Sequence, residues 1–190
     1  MCARVRSNRE ERWNTITHSA AFGMALTSIF MANNIAGKLL ASALATTFFL
    51  STIYHSEVRP KEKNFLCMLD MASIHVTIAV TGATFCTFVN SAWWPLCLVI
   101  PCYGFYYTIK NFDTHRLKKN MVPLCVASSV VCLVVLGLSS GLSSALGWFS
   151  SGLLVYCAGL VFYVHDGEWY HTVWHIFVTI ASFVHIRFLW

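Results

Sequence analysis

Two histidines, His171 and His175, stand four residues apart in an apolar stretch late in the chain. On an α-helix this spacing puts both imidazoles on one face, a common way to grip a zinc ion. His55, at the end of an earlier apolar stretch, can supply a third nitrogen. Three protein ligands plus a water make an open, catalytic type of zinc site rather than a closed structural one. The alternative is that these histidines are hydrogen-bonding groups between helices.

Two more polar residues suit chemistry beside such an ion. Asp70 is the only acidic residue within a predicted membrane span, and it can hydrogen-bond a zinc-activated water or act as its general base. Ser51 lies one helical turn before His55 and can hold the water, a ligand or a substrate carbonyl. The alternatives are a structural carboxylate paired with Arg or Lys for Asp70, and a bond within its own helix for Ser51.

The composition indicates what must position these residues. Of the 190 residues, 57% are hydrophobic and only 11% are charged, whereas soluble domains carry about 25% charged residues. A membrane-spanning helix needs roughly 20 apolar residues, so the chain has room for seven. Each span should be helical because lipid leaves no partner for unpaired backbone groups. The predicted spans are residues 14–33, 37–55, 65–88, 92–109, 121–140, 145–163 and 169–190.

The predicted fold is therefore an all-α bundle of seven transmembrane helices. Residues 1–13 form a short cytoplasmic tail, and residues 14–190 form one membrane domain. Eleven of the thirteen Lys and Arg residues fall on one side of the predicted membrane. They are Arg4, Arg6, Arg9, Arg12, Arg59, Lys61, Lys63, Lys110, Arg116, Lys118 and Lys119. Basic loops remain cytoplasmic, which predicts a cytoplasmic N-terminus and an outside C-terminus.

This topology places His55, Asp70, His171 and His175 at a similar depth near the cytoplasmic face. The orientation rests on Lys and Arg alone. That it places all four residues at one depth is therefore an independent check on the predicted metal site. The net charge of +5 is explained by the same short loops, so it does not indicate a nucleic-acid-binding patch.

The other histidines within spans are expected to be polar contacts rather than ligands. His18 follows Asn14 by one helical turn and can tie the first span to the bundle. His75 lies about 140° around its helix from Asp70, and His185 lies about 15 Å along the axis from His175. His185 is therefore too far away to share an ion with the predicted ligands, and His75 is expected to face elsewhere.

Four segments carry a family resemblance. They are Glu11-x-x-Asn14-x-x-Thr17-His18, Ser51-x-x-x-His55, Asp70-x-x-x-Ile74, and His171-x-x-Trp174-His175-x-Phe177-Val178 with the later His185. In this order they resemble the progestin and adipoQ receptor / hemolysin III family of seven-span membrane proteins, within a larger group that includes alkaline ceramidases. Residues 152–162 look most like the monocyte-to-macrophage differentiation factor branch. His75 stands where an aromatic residue is usual in the family.

The resemblance implies zinc bound by His55, His171 and His175, with Asp70 close to the metal-activated water. The leading hypothesis is a zinc-dependent intramembrane hydrolase that acts on a lipid amide, with ceramide as the class suggested by analogy. Its partners would be membrane lipids. A second hypothesis is a membrane receptor or signalling scaffold in which zinc is structural. A third is a hemolysin-like protein that permeabilises membranes.

Overall fold

Seven α-helices make up the structure, a computed structural model that describes residues 6–112, 115–141, 143–165 and 167–190. They are α1 (Asn8–Met31), α2 (Ile35–Ser56), α3 (Pro60–Phe88), α4 (Leu96–Lys110), α5 (His115–Ser140), α6 (Ser144–His165) and α7 (Tyr170–Arg187). No strand occurs within the described residues. The predicted all-α seven-helix fold is confirmed.

The direction of the bundle across the membrane stays a prediction. Some of the residues behind it fall outside the described part of the chain. These are Arg4 and the side chains of Arg116, Lys118 and Lys119.

Helix α1 begins at Asn8, well before the predicted start of the first span. Ser7 and Glu10 form a capping box, in which the Ser7 Oγ accepts from the Glu10 amide at 3.2 Å. The Glu10 carboxylate in turn accepts from the Ser7 amide at 3.0 Å. Such reciprocal bonds satisfy two amides that a helix start otherwise leaves without partners. The extension matters because it carries Glu11 into the bundle.

The helices differ in how apolar they are, because some of them bury polar side chains inside the bundle. Four segments are long and apolar enough to cross a membrane: α2, α3, residues 120–140 of α5, and α6. Helix α4 is apolar but shorter, since it starts directly after Pro95. Helices α1 and α7 bury polar side chains inside the bundle, including Asn14, His18 and His175. Inward-facing polar residues of this kind usually mark function in membrane proteins.

Small residues bring α1 and α2 together. Ala21 and Ala25 of α1 pack with Ala41 and Ala45 of α2 in one buried cluster. Membrane helices associate closely where such residues let their backbones approach. A second cluster, formed around Phe85 and other residues of α3 to α6, fills the bundle further along. The two clusters hold the helices together away from the polar end, where α2 finishes and α7 begins.

The turn between α2 and α3 is charged. The Arg59 guanidinium donates to both carboxylate oxygens of Glu57, at 3.0 and 2.8 Å. These hydrogen bonds hold the pKa of Glu57 near 2. The Glu57 carboxylate therefore stays ionised at neutral pH, and the end of the bundle next to His55 presents fixed charges.

Candidate metal centre

Three histidines from two helices converge at one end of the bundle. Ligand nitrogens of His55, His171 and His175 all lie within 4.8 Å of one another. The ring centroids are 4.5 Å apart for His171 and His175, 4.9 Å for His55 and His175, and 5.2 Å for His55 and His171. Because zinc–nitrogen bonds are about 2.0–2.1 Å, two nitrogens on one ion are at most about 4 Å apart. The spacing of the three nitrogens is therefore within about 1 Å of what one ion would need.

Side chains of α1 hold the start of α7 in place. Trp169, immediately before α7, adopts a left-handed backbone with φ 64°. Its amide donates to the buried Glu10 carboxylate at 3.0 Å. One turn into the helix, the Thr172 hydroxyl donates to the Asn14 side-chain oxygen at 2.5 Å. These two contacts fix the turn of α7 that carries His171.

The His55 ring is oriented by a carboxylate. Glu11 lies 2.5 Å from His55 Nδ1 and 3.2 Å from the Lys63 ammonium. A carboxylate on Nδ1 favours a proton there and leaves the Nε2 lone pair available, as in carboxylate–histidine–zinc triads. His55 Nε2 is buried and has no hydrogen-bond partner among the described residues. A buried acceptor without a partner costs about 1–3 kcal/mol, which ligation of a metal would remove. This donor set therefore fits zinc.

His175 is supported in a similar way. Its Nδ1 lies 3.3 Å from the Thr17 hydroxyl, which itself donates to the Asn14 carbonyl at 2.9 Å. The hydroxyl oxygen can accept a hydrogen bond from Nδ1–H, which would leave the Nε2 lone pair of His175 for a metal.

The His18 ring stacks on His175, with centroids 3.6 Å apart and planes within 8°. Imidazole lone pairs lie in the ring plane, so His18 packs against the ligand and does not join the set. This geometry agrees with the expectation that His18 is a contact.

Asp70 and Ser51 meet between α3 and α2. The Ser51 hydroxyl hydrogen-bonds the Asp70 carboxylate, and Arg6 interacts with that carboxylate electrostatically. Asp70, Ser51, His171 and His175 all line one cavity. Ser51 thus has a defined partner, the carboxylate, rather than only its own helix. The catalytic roles assigned to Asp70 and Ser51 from the sequence stay predictions.

The two remaining span histidines lie away from this centre. His75 is fully buried in α3, and its ring faces the backbone of Gly104 in α4. His185 Nε2 bonds the Phe149 carbonyl at 3.0 Å, and its ring stacks on the Phe149 ring. Both positions agree with the expectation that neither residue shares the ion.

The cavity extends from the histidine set into the bundle. Its volume is about 630 Å³, within the range typical of ligand sites. Most of its lining is apolar, and its inner end is bounded by Phe149, Tyr156 and His185. A polar centre at one end of an apolar cavity suits an amphiphile whose hydrocarbon chain enters the bundle.

Two residues at the site were missed by reasoning from the sequence. Glu11 was noticed only as part of a motif, although its spacing to Asn14 and His18 puts all three on one helix face. Arg6 was counted only as a topology signal, yet it lines the cavity. No local pattern distinguishes it from the other basic residues near the start of the sequence.

Comparison with known proteins agrees with this architecture. The family model "Haemolysin-III related" matches residues 6–186. The Homo sapiens protein "Monocyte to macrophage differentiation factor" is 26% identical over 170 residues, which cover 82% of this chain and 69% of that protein. The Mus musculus protein of the same name gives the same values. The resemblance seen in the motifs is confirmed: the chain belongs to the haemolysin-III-related family and is an integral membrane protein.

Proposed function

We propose that the protein is a zinc-dependent hydrolase that cleaves the amide bond of a membrane lipid, with ceramide-like lipids as the substrate class. The observation that supports this most strongly is the group of three histidines at the polar end of an apolar cavity that Asp70 also lines. By the predicted topology, the reaction takes place near the cytoplasmic face.

His55, His171 and His175 would hold the zinc ion. When bound by three histidines, zinc supplies a Lewis acid that polarises a carbonyl and makes water nucleophilic near neutral pH. Within the described residues, the metal-ligand group contains three members and no fourth. This number favours the catalytic arrangement over a closed structural site.

Asp70 is the proposed general base and acid. In the hydrolysis, the water oxygen bonds to the amide carbon while the Asp70 carboxylate takes one proton from that water. The carbon–nitrogen bond then breaks, and the nitrogen leaves as an amine with the proton that Asp70 returns. The products are a carboxylic acid and an amine, so the added water accounts for every atom.

Ser51 is a positioning residue in this scheme. Its hydroxyl bonds the Asp70 carboxylate, which restricts the carboxylate rotamer and holds it toward the cavity. The apolar lining deeper in the bundle receives the acyl chain, so that the amide stops at the histidine end. Orientation of this kind supplies a large part of the rate in enzymes.

The test is hydrolysis of a ceramide by purified protein in lipid nanodiscs, with fatty acid release as the readout. The parent should turn over, whereas His171→Ala and Asp70→Asn should lose activity by at least about a hundredfold. His165→Ala is the matched control, since this histidine is exposed and its ring bonds the carbonyl of Val161 within its own helix. Equal hydrolysis by the parent and His171→Ala would overturn the proposal.

A receptor or scaffold with structural zinc is the rival function. It predicts that a metal-loaded, folded parent shows no turnover on any amide lipid. It also predicts that His171→Ala lowers stability, whereas Asp70→Asn changes nothing measurable.

A further inference from the structure

A second group of polar side chains lies at the inner end of the cavity, away from the histidine set. Tyr156 of α6 and both Ser182 and His185 of α7 line the cavity there. Ser182 and His185 are almost entirely buried, with 3% and 5% of their surface exposed. The Phe149 ring, which stacks on His185, lines the same end. The proposed hydrolysis uses none of the three polar side chains, so their place in an apolar cavity needs another explanation.

The hydroxyls of Tyr156 and Ser182 hydrogen-bond each other, with their oxygens 2.7 Å apart. One of the two donates and the other accepts, so this bond uses only one of the two hydroxyl protons. Neither hydroxyl bonds any other group in the part of the chain that the structure describes. Whichever way the pair is arranged, one hydroxyl proton therefore has no protein acceptor. A buried donor without a protein acceptor is uncommon and indicates that something else in the cavity accepts from it.

His185 offers the complementary group. Its Nε2 donates to the Phe149 carbonyl at 3.0 Å, because a carbonyl oxygen can only accept. In the neutral ring this tautomer leaves Nδ1 as an acceptor. Nδ1 makes no hydrogen bond to any residue that the structure describes. The inner end thus presents one free donor and one free acceptor, and a hydroxyl group, which both accepts and donates, can satisfy the two.

The distance from the histidine set determines where such a hydroxyl lies on a lipid. His175 and His185 belong to the same helix and are ten residues apart. Ten residues correspond to about 15 Å along the helix axis, roughly the length of an extended twelve-carbon chain. An acyl chain whose carbonyl lies at the histidine set therefore reaches the inner end of the cavity at about its twelfth carbon.

We propose that Tyr156, Ser182 and His185 form a subsite that binds a hydroxyl group on the acyl chain, about twelve carbons from the carbonyl. This inference rests on the proposed function for the position of the amide, and it names the substrate class more closely. The ligand hydroxyl accepts from the Tyr156–Ser182 pair and donates to His185. An unmodified chain of the same length fills the same space but leaves both groups of the subsite without a partner.

The experiment compares N-dodecanoylethanolamine with its derivatives that are hydroxylated at carbon 12 or at carbon 2. Binding is measured in nanodiscs with chelator-treated, zinc-free protein, so that no lipid is consumed. The parent should bind the 12-hydroxy lipid about fivefold or more tightly than the unmodified lipid, the gain expected of one or two neutral hydrogen bonds. The 2-hydroxy lipid is the positional control, because its hydroxyl lies next to the amide and far from the subsite.

The lipids partition differently into the nanodisc, so the decisive quantity is the change in preference between variants. The double variant Tyr156→Phe with Ser182→Ala should bind the 12-hydroxy and unmodified lipids equally. Tyr156→Phe alone should weaken the preference without abolishing it, since Ser182 keeps a hydroxyl. Tyr103→Phe is the matched control and should keep the preference, because Tyr103 is exposed on α4 and does not line the cavity. Thermal unfolding of each variant checks that it is folded.

Equal binding of the 12-hydroxy and unmodified lipids by the parent would overturn the inference, as would a preference that the double variant keeps. The hydroxyl pair would then serve only as a contact between α6 and α7. The proposed function has a separate readout, which is hydrolysis of the same lipids once zinc is restored. A preference that depends on Tyr156 and Ser182, in a protein that hydrolyses none of the three lipids, would overturn only the hydrolase.

Discussion

The Glu11 carboxylate lies 2.5 Å from Nδ1 of His55, although the two residues are 44 positions apart in the chain. The contact joins the first turns of α1 to the last turn of α2. It fixes the direction in which the His55 lone pair points. In the proposed metal centre, Glu11 is therefore a positioning residue that acts through His55.

Replacing Glu11 with Gln should weaken metal binding. The amide keeps the shape of the side chain but removes the charge that polarises His55, and the loss of such a partner lowers metal affinity roughly 10- to 100-fold. Competition with a zinc chelator measures the change. Glu62→Gln is the control because Glu62 is exposed on α3 and lies 3.8 Å from Arg59. Equal zinc affinity in the parent and Glu11→Gln would show that this contact does not tune the site.

Gly152 allows α6 to approach α7 closely. A Cβ at this position would overlap the buried His185 ring, whose Nε2 bonds the Phe149 carbonyl. Gly152→Ala should therefore lower the free energy of unfolding by about 1–3 kcal/mol, the usual cost of overpacking. Thermal unfolding in detergent measures the effect.

Gly147 provides the control on the same helix. Nothing lies within 4 Å of the position where its Cβ would be. Gly147→Ala should raise stability by roughly 0.5–1 kcal/mol, because alanine loses less backbone entropy in a helix. If the two alanine variants have the same stability, the close approach at Gly152 is not a packing constraint.

His75 should be dispensable for the metal centre. Both of its ring nitrogens are buried without a hydrogen-bond partner in the described structure, and such groups cost about 1–3 kcal/mol each. His75→Leu should leave the zinc content unchanged and should keep or raise stability by about 1 kcal/mol. Loss of zinc in this variant would mean that His75 supports the site through α3.

Much of the bundle can be predicted from the sequence because lipid imposes helices on long apolar segments. The i, i+4 spacing of His171 and His175 predicted that their rings share one helix face, and the basic loops predicted that His55 lies at the same depth; the structure brings the three together. Helix α1 starts earlier than the predicted first span, and the sequence does indicate this start. Ser7 and Glu10 have the three-residue spacing of a capping box.

Contacts between distant helices could not be predicted in this way. That Glu11 meets His55, and that Arg6 reaches Asp70, depends on how α1 packs against α2 and α3. The stacking of His18 on His175 likewise follows from the angle between helices, which a single sequence does not specify. Side-chain spacing identifies the residues on one face but not the partner across the interface.

The most direct test of the metal centre is elemental analysis of detergent-purified protein, comparing the parent with His171→Ala and the control His165→Ala. The account predicts about one zinc per chain in the parent and the control, and none in His171→Ala. A well-folded parent without zinc after incubation with the ion would contradict it. The three histidines would then be hydrogen-bonding groups between helices.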